Sequence, residues 1–425
     1  MPIAAKGSHA AMVKYYEASY EATAAVANER LSLQADSGNI VEGVKEALGT
    51  RYAGVWFDNE SGHWQIGELP GTSLSQVQPY LTAHNISDSA VELVPVQSSV
   101  EELLAAQVRI NERLMAYLVA GEVSTGIYEP NNAVIVRVST ALPADSVSEV
   151  HVLANSAGSA FVGSNAAPVA IEMRAAEPSE VDLQPVDTTC ANHFNVFEEE
   201  VPQVVFCNRP LRGGVTIWDN NSVCSLGFIV TNGPEEFIMT AGHCLAKDKE
   251  GWFSAFANFN ESKPETWGGI GEERYRYRGE LGDFGTINLL SGSGVHSPWF
   301  PDDNPSTVAD LHPGGGGGED YLENIAWSAV GDITCRTGGS SDTQCGEVLS
   351  TANTEYVGGV LTGYLTEDTA CAIEGDSGGT VFGNHSGLGM LDAINVPCGH
   401  LGAKDYYTEA VRDAVYSGVE FYVPW

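Results

Sequence analysis

The chain has 425 residues, an apolar fraction of 43% and a formal net charge of -36 from 20 basic and 56 acidic side chains. That apolar share supports sizeable cores and excludes global disorder, and the length allows two to four domains at roughly 100–200 residues each. The acid excess runs through both halves, with 9 basic against 23 acidic residues in 1–189 and 11 against 33 in 190–425. A field of that sign repels phosphate backbones and anionic membranes, so neither nucleic acid nor a membrane is an expected partner.

No run approaches 18 consecutive apolar residues, and the first residues lack the apolar core of a secretory signal. Ser37 to Gly49 reads as a helix with an Asn or Ser cap and a terminal glycine. Tyr52 to Phe57, the turn Asp58-Asn-Glu-Ser-Gly62 and Trp64-Gln-Ile then read as a β-hairpin. Ser99 and Glu102 have capping-box spacing and open a helix reaching about Ala120. A second hairpin follows, turning at Glu129-Pro-Asn-Asn132. Helix–hairpin therefore occurs twice, with turns about 70 residues apart. A third helix is expected over 143–155 and a strand over 168–174. His9, His63, His84 and His151 are isolated and expected to be structural or solvated. Residues 175–212, with Pro178, Pro185, Pro202, Pro210 and the run Glu198–Glu200, read as an exposed junction.

From Gly213 the texture changes to short β-type runs between Gly, Asn, Asp and Ser, the pattern of an all-β barrel or sandwich. Only 405–417 has helical character, and residues 311–320, with His312, read as a flexible loop. All eight cysteines lie in this second part: Cys190, Cys207, Cys224, Cys244, Cys335, Cys345, Cys371 and Cys398. An even count without a Cys-x-x-Cys pair favours disulfides in an oxidising compartment over a metal site.

Two segments carry chemistry. Met239-Thr-Ala-Gly-His-Cys244 places a histidine directly after a β-run, and Glu374-Gly-Asp-Ser-Gly-Gly379 places a serine among small residues. A serine hydroxyl needs a neighbouring base, the base needs a buried acid to hold its tautomer, and glycines let the backbone aim N–H groups at an oxyanion.

With Cys224-Ser-Leu-Gly-Phe228, Cys335-Arg-Thr-Gly-Gly339 and Cys345-Gly346, these segments resemble the chymotrypsin-fold serine proteases, closest to the secreted bacterial branch of streptogrisins and alpha-lytic protease. The resemblance covers roughly 213–425. More weakly, the helix–hairpin repeat resembles the large pro-region of that branch. The implied architecture is an α+β pro-region over 1–189 and a protease domain over 190–425. That domain would hold two six-stranded antiparallel β-barrels and a C-terminal helix. The implied triad is His243, Asp283 and Ser377, with Asp283 opening a buried strand. Gly375 and Ser377 would supply the oxyanion hole, and Asp376 would pair with Arg336. The family pairing joins Cys224 to Cys244, Cys335 to Cys345 and Cys371 to Cys398; nothing in the family core dictates the pairing of Cys190 with Cys207.

Thr369, Ala370, Asp392, Ala393 and Ile394 align with the substrate pocket. Relatives place a serine and then glycines where this chain has Asp392, Ala393 and Ile394. The aligned Asp392 falls near the triad acid, where a second carboxylate is costly unless paired or protonated. No carboxylate stands at the pocket base, so cleavage after uncharged, small-to-medium apolar residues is expected. The implied function is a secreted, monomeric serine endopeptidase without cofactor or metal, acting on polypeptides and held as a zymogen by its own pro-region, which also aids folding. The alternatives are a catalytically silent protease-like binding protein, against which the complete triad argues, and an esterase on the same triad. The absent Gly-x-Ser-x-Gly elbow argues against an α/β-hydrolase.

Overall fold

In a computed structural model, residues 8–159, 168–174, 179–180, 213–219, 222–233, 235–245, 252–255, 268–289, 307–310, 318–341, 343–399 and 402–421 are described. Two helices precede the first expected one, α1 (Ser8–Tyr20) and α2 (Ala24–Gln34). α1 has no acidic first turn and no basic last turn, so its ends carry little sequence signal. Both helices bury apolar side chains all the same. Met12, Tyr16, Ala27 and Leu31 join one cluster with Ile333, Cys335 and Phe382 of the C-terminal half.

Two units of one topology follow. The first is α3 (Ser37–Leu48), β1 (Val55–Asp58), β2 (His63–Glu68), α4 (Leu74–Ala83) and β3 (Val91–Pro95). The second is α5 (Val100–Val119), β4 (Val123–Tyr128), β5 (Ala133–Ser139), α6 (Ala144–Ser159) and β6 (Val169–Arg174). In each, an antiparallel hairpin receives a third strand parallel to its second. The repeat is therefore helix–hairpin–helix–strand, longer than the sequence pattern suggests. α4 hides from the pattern because Pro79 stands inside it. α5 begins on the Ser99–Glu102 capping box, whereas Ser37 is the first residue of α3 and Asp36 caps it without a side-chain bond. A short strand, β7 (Ser179–Glu180), falls inside the junction.

The C-terminal half runs β8 (Thr216–Asp219), β9 (Ser222–Ser225), β10 (Phe228–Asn232), β11 (Glu235–Thr240), β12 (Trp252–Ala255), β13 (Gly268–Gly279), β14 (Gly282–Leu289), β15 (Thr307–Asp310), β16 (Gly318–Tyr321), β17 (Asn324–Ile325), β18 (Ile333–Thr337), β19 (Gln344–Val357), β20 (Val360–Asp368), β21 (Thr380–Gly383), β22 (Ser386–Ile394), β23 (Asp405–Glu409), α7 (Ala410–Ser417) and β24 (Glu420–Phe421). Its first sheet has eight strands in the order β24-β10-β11-β14-β13-β12-β8-β9. That exceeds the six expected, and among the described residues the sheet stays open. In the second sheet β18, β21, β22, β23, β20 and β19 follow one another, and β18 pairs back with β19. That ring is a closed six-stranded antiparallel barrel.

Gly358 and Gly359, at φ 51° and 85°, turn β19 into β20. Two local readings change. Residues 405–409 are strand rather than helix, because they pair with both β20 and β22; α7 starts only at Ala410. Gly318 to Asp320 lie in β16, and His312 lies outside the described residues.

The halves share a sheet. β4 pairs with β19, so the second N-terminal unit extends the barrel wall. Two buried ion pairs cross the same seam, Arg137 to Glu367 at 2.5 Å and Arg174 to Glu355 at 2.7 Å. β7 lies against β22 with Glu180 opposite Ala393 and Ser179 opposite Ile394.

Candidate active site

The site lies where the first sheet meets the barrel. β11 ends at Thr240, and a single 3-10 turn, Gly242–Cys244, presents His243. Gly242 is required by close approach: a Cβ there would meet the Tyr277 carbonyl at 2.3 Å and Asp283 Oδ1 at 2.6 Å. A disulfide from Cys244 to Cys224 braces the turn from behind. Asp283 is the second residue of β14 and fully buried. Its Oδ2 stands 2.8 Å from His243 Nδ1, and its backbone N–H donates to Thr408 Oγ1 at 3.1 Å.

Ser377 sits in a turn between Cys371 and β21. Its carbonyl accepts from the Ser225 N–H at 2.7 Å, and the Gly378 N–H donates to the Leu391 carbonyl at 2.7 Å. Gly375 and Gly378 take positive φ, 90° and 79°, which other residues adopt only with strain. A Cβ on Gly378 would also meet Thr240 Oγ1 at 2.0 Å, so the serine turn is pressed onto the strand that carries the histidine. His243 Nε2 and Ser377 Oγ are both buried without a hydrogen-bond partner among the described residues. No acceptor there takes the N–H of Gly375 or Ser377.

Asp376 turns away from the serine. Its carboxylate accepts from the N–H groups of Ser340, Ser341 and Ile373 and from the Ser341 hydroxyl, all within 3.0 Å, and Arg336 Nη1 lies at 3.1 Å. Arg336, fully buried on β18, also faces Asp405 at 3.5 Å and donates to the Cys371 carbonyl. Disulfides join Cys335 to Cys345 and Cys371 to Cys398. Cys190 and Cys207 lie outside the described residues.

Residues aligned with the pocket fall in different places. Thr369 Oγ1 lies 2.7 Å from the Tyr15 hydroxyl of α1 and accepts from the Glu347 N–H at 2.8 Å. Ala370 is buried, its N–H on Asp368 at 2.7 Å. Ile394 packs with Ala372 and Leu391, while Ala393 packs with Val357, Leu365 and Tyr406. Asp392 carries a buried carboxyl that accepts from the Thr408 hydroxyl. Burial first, and then the charge of Asp283, push that carboxyl far above the usual carboxylate range.

Sequence reasoning missed three neighbours. Arg278 Nε stands 3.4 Å from Asp283 Oδ2, Thr408 bridges the two acids, and Asp413 of α7 is buried and driven upward by burial. Only Arg278 had a signal, the alternation Arg274-Tyr-Arg-Tyr-Arg278 beside the acid-bearing strand. Cys224, His243 and Cys244 also lie within metal-ligand distance of one another. Their sulfurs are bonded to each other, and metal ligation needs thiolates.

No family model matches the chain. Streptogrisin-D of Streptomyces griseus is 29% identical over 194 residues, 44% of this chain and 42% of the relative. Glutamyl endopeptidase 2 of the same organism is 26% identical over 178 residues, 42% of this chain and 82% of the relative. The chain's homologues are chymotrypsin-fold serine proteases of the streptogrisin type. The matches span 42% and 36% of the lengths of streptogrisins D and C. Among solved structures, Thermobifida fusca protease A covers 50% of this chain with 99% of its own, at 22% identity and TM-score 0.39. A protease described as specific for glutamic acid, using a histidine triad in substrate binding, covers 49% of the chain at 23% identity and TM-score 0.39. Among the described residues no helix is long and apolar enough to cross a membrane.

Proposed function

We propose that the chain is a secreted serine endopeptidase made as a zymogen, with Ser377 as nucleophile, His243 as general base and Asp283 as orienting acid. The observation that carries this reading is the 2.8 Å bond from His243 Nδ1 to buried Asp283. It leaves Nε2 as the ring atom available to Ser377. The hydroxyl attacks the scissile carbonyl while Nε2 takes its proton. The oxyanion is held by the N–H groups of Gly375 and Ser377. The imidazolium then protonates the leaving amine, and water enters by the same base to hydrolyse the acyl-enzyme. Asp283 stabilises the imidazolium without taking its proton. The reaction needs no cofactor.

Residues 1–189 act as the pro-region and 190–425 as the enzyme. Support comes from Ser377, which has no exposed surface in the full chain, and from β7, which lies along β22 at Ala393 and Ile394. A chain segment there occupies the edge on which a substrate backbone would pair. The ion pairs of Arg137 and Arg174 hold the second N-terminal unit on the β19–β20 hairpin. The proposed specificity is for uncharged, small-to-medium apolar residues, since Thr369 and Ala370 bring no charge and Ile394 takes space.

In the test, Ser377→Ala is expected to lower the turnover number by several orders of magnitude and to abolish fluorophosphonate labelling, with folding intact. Retention of most peptidase activity would refute the assignment.

A further inference from the structure

We propose that Asp392 is a positioning residue of the triad that works as a neutral carboxylic acid, donating a hydrogen bond to the second oxygen of Asp283. The inference rests on reading His243, Asp283 and Ser377 as a triad. Its first support is backbone geometry. Along β22 the register steps two residues, Leu391 to Ala393, while β23 steps one, Tyr407 to Tyr406. Asp392 is the extra residue of a β-bulge. Bulges re-aim a side chain, and they are common beside active sites.

The second support is the bonding around the two acids. The Thr408 hydroxyl accepts from the Asp283 N–H and donates to Asp392 Oδ2, tying both residues to one atom. Asp283 Oδ2 is taken by His243, with Arg278 beside it. That leaves Asp283 Oδ1 and Asp392 Oδ1, both buried and both without a partner. Thr408 Oγ1 touches both residues and the Asp283 charge acts on Asp392, so one proton on Asp392 can answer both oxygens. A proton on Asp392 Oδ1 makes a charge-assisted O–H···O⁻ bond to Asp283 and leaves Asp283 ionised, as the imidazolium requires.

The surrounding charges favour this proton count. From β13 comes Arg278, and from α7 come Asp413, itself buried, and Arg412, which acts on Asp413. One guanidinium beside Asp283 matches one ionised carboxylate. Burial and the Asp283 charge both favour the protonated form of Asp392. The bond would fix the Asp283 carboxylate through the oxygen that His243 does not take.

The test uses two full-length variants. Asp392→Asn keeps an N–H donor toward Asp283, whereas Asp392→Leu fills the space without one. Infrared difference spectra of the wild type against Asp392→Asn at neutral pH should show the carbonyl stretch of one protonated carboxyl lost in the variant. In peptide hydrolysis by the processed enzymes, after residues 1–189 are removed, Asp392→Asn should stay within about threefold of wild-type kcat. Asp392→Leu should lose about 10–100-fold in kcat with KM little changed, the loss expected for one hydrogen bond to a charged group. Absence of the carboxyl band overturns the proposal, as does an Asn variant that falls as far as the Leu variant or a Leu variant with wild-type kcat. The infrared result requires no turnover and no folded Leu variant. A wild type that cleaves no peptide even after residues 1–189 are removed would therefore refute the peptidase reading and still leave the Asp392 proton decided.

Discussion

Glu129 offers a stability effect whose sign depends on pH. It sits between β4 and β5, buried, with Oε2 accepting from the Val55 N–H at 3.1 Å. Burial raises its pKa from 4.5 to about 7, against that bond and the more distant Lys45. The folded chain thus holds a proton that the unfolded chain releases. Stability from this group is full below the unfolded value, falls as pH rises between about 4.5 and 7, and stays reduced above that. The full penalty is about 3 kcal/mol at 1.36 kcal/mol per pK interval, and about 2 kcal/mol of it accrues between about pH 5.5 and pH 8. Glu129→Gln keeps the acceptor and carries no charge. The variant should therefore be more stable than wild type at about pH 8, with the advantage shrinking by about 2 kcal/mol at about pH 5.5. Urea midpoints of the full chain, followed by tryptophan fluorescence, measure both. Asp332 and Glu409, also raised to about 7 by burial, slope the same way in both proteins and cancel in the comparison. An equal difference at the two pH values, or a Gln variant less stable at the higher one, would refute the reasoning.

Arg174→Met removes one partner of a pair in which Glu355 is fully buried. Breaking such a pair costs about 3–5 kcal/mol, but Glu355, whose pKa burial already raises, escapes part of that by taking a proton; about 2–3 kcal/mol is expected in urea unfolding. Restoring Glu355→Gln in the same chain should recover part of the loss, and strict additivity would show that the two residues do not interact. Asp376→Asn puts an amide with one acceptor oxygen where a carboxylate held three N–H groups and a hydroxyl beside Arg336. The serine turn should loosen, and Ser377 labelling by a fluorophosphonate should slow at least about tenfold with the disulfides intact. A wild-type labelling rate would show that Asp376 does not hold the turn.

How far the sequence reveals the site depends on how local its causes are. Thr240-Ala-Gly-His-Cys244 and Gly375-Asp-Ser-Gly-Gly379 are legible because a histidine pressed against an acid and a serine on a tight turn each demand small neighbours at fixed offsets. Gly242 and Gly378, where a Cβ would collide at 2.3 Å and 2.0 Å, are where that demand originates. The α5 cap is legible for the same reason. Arg137 and Glu367 are not, since 230 positions separate them and neither residue's neighbours announce a partner. The bulge at Asp392 is equally silent: it is an offset between β22 and β23, and a single chain's alternation cannot show an offset against another strand. α1 and α2 were missed because their apolar faces are defined by Ile333 and Phe382, more than 300 residues away.

These buried contacts also explain how so acidic a chain keeps a folded interior. With 56 acids and 20 bases, every acid cannot have a cation. The structure meets this in two ways. Arg137, Arg174, Arg278 and Arg336 all turn inward onto Glu367, Glu355, Asp283 and Asp376. The other fully buried acids, among them Glu129, Asp332, Asp392, Asp405, Glu409 and Asp413, have pKa values raised by burial and so favour protons where cations are lacking. Arg137 and Arg174 cross between elements distant in sequence, while Asp405 stands beside Arg336 and Asp283 acts on both Asp392 and Asp413. A proton is the smallest counter-charge available, and it alone can sit between two carboxyls without a cavity. That makes the environment of Asp283 an outcome of composition: beside the single cation Arg278 stand Asp392 and Asp413, whose carboxyls burial pushes upward.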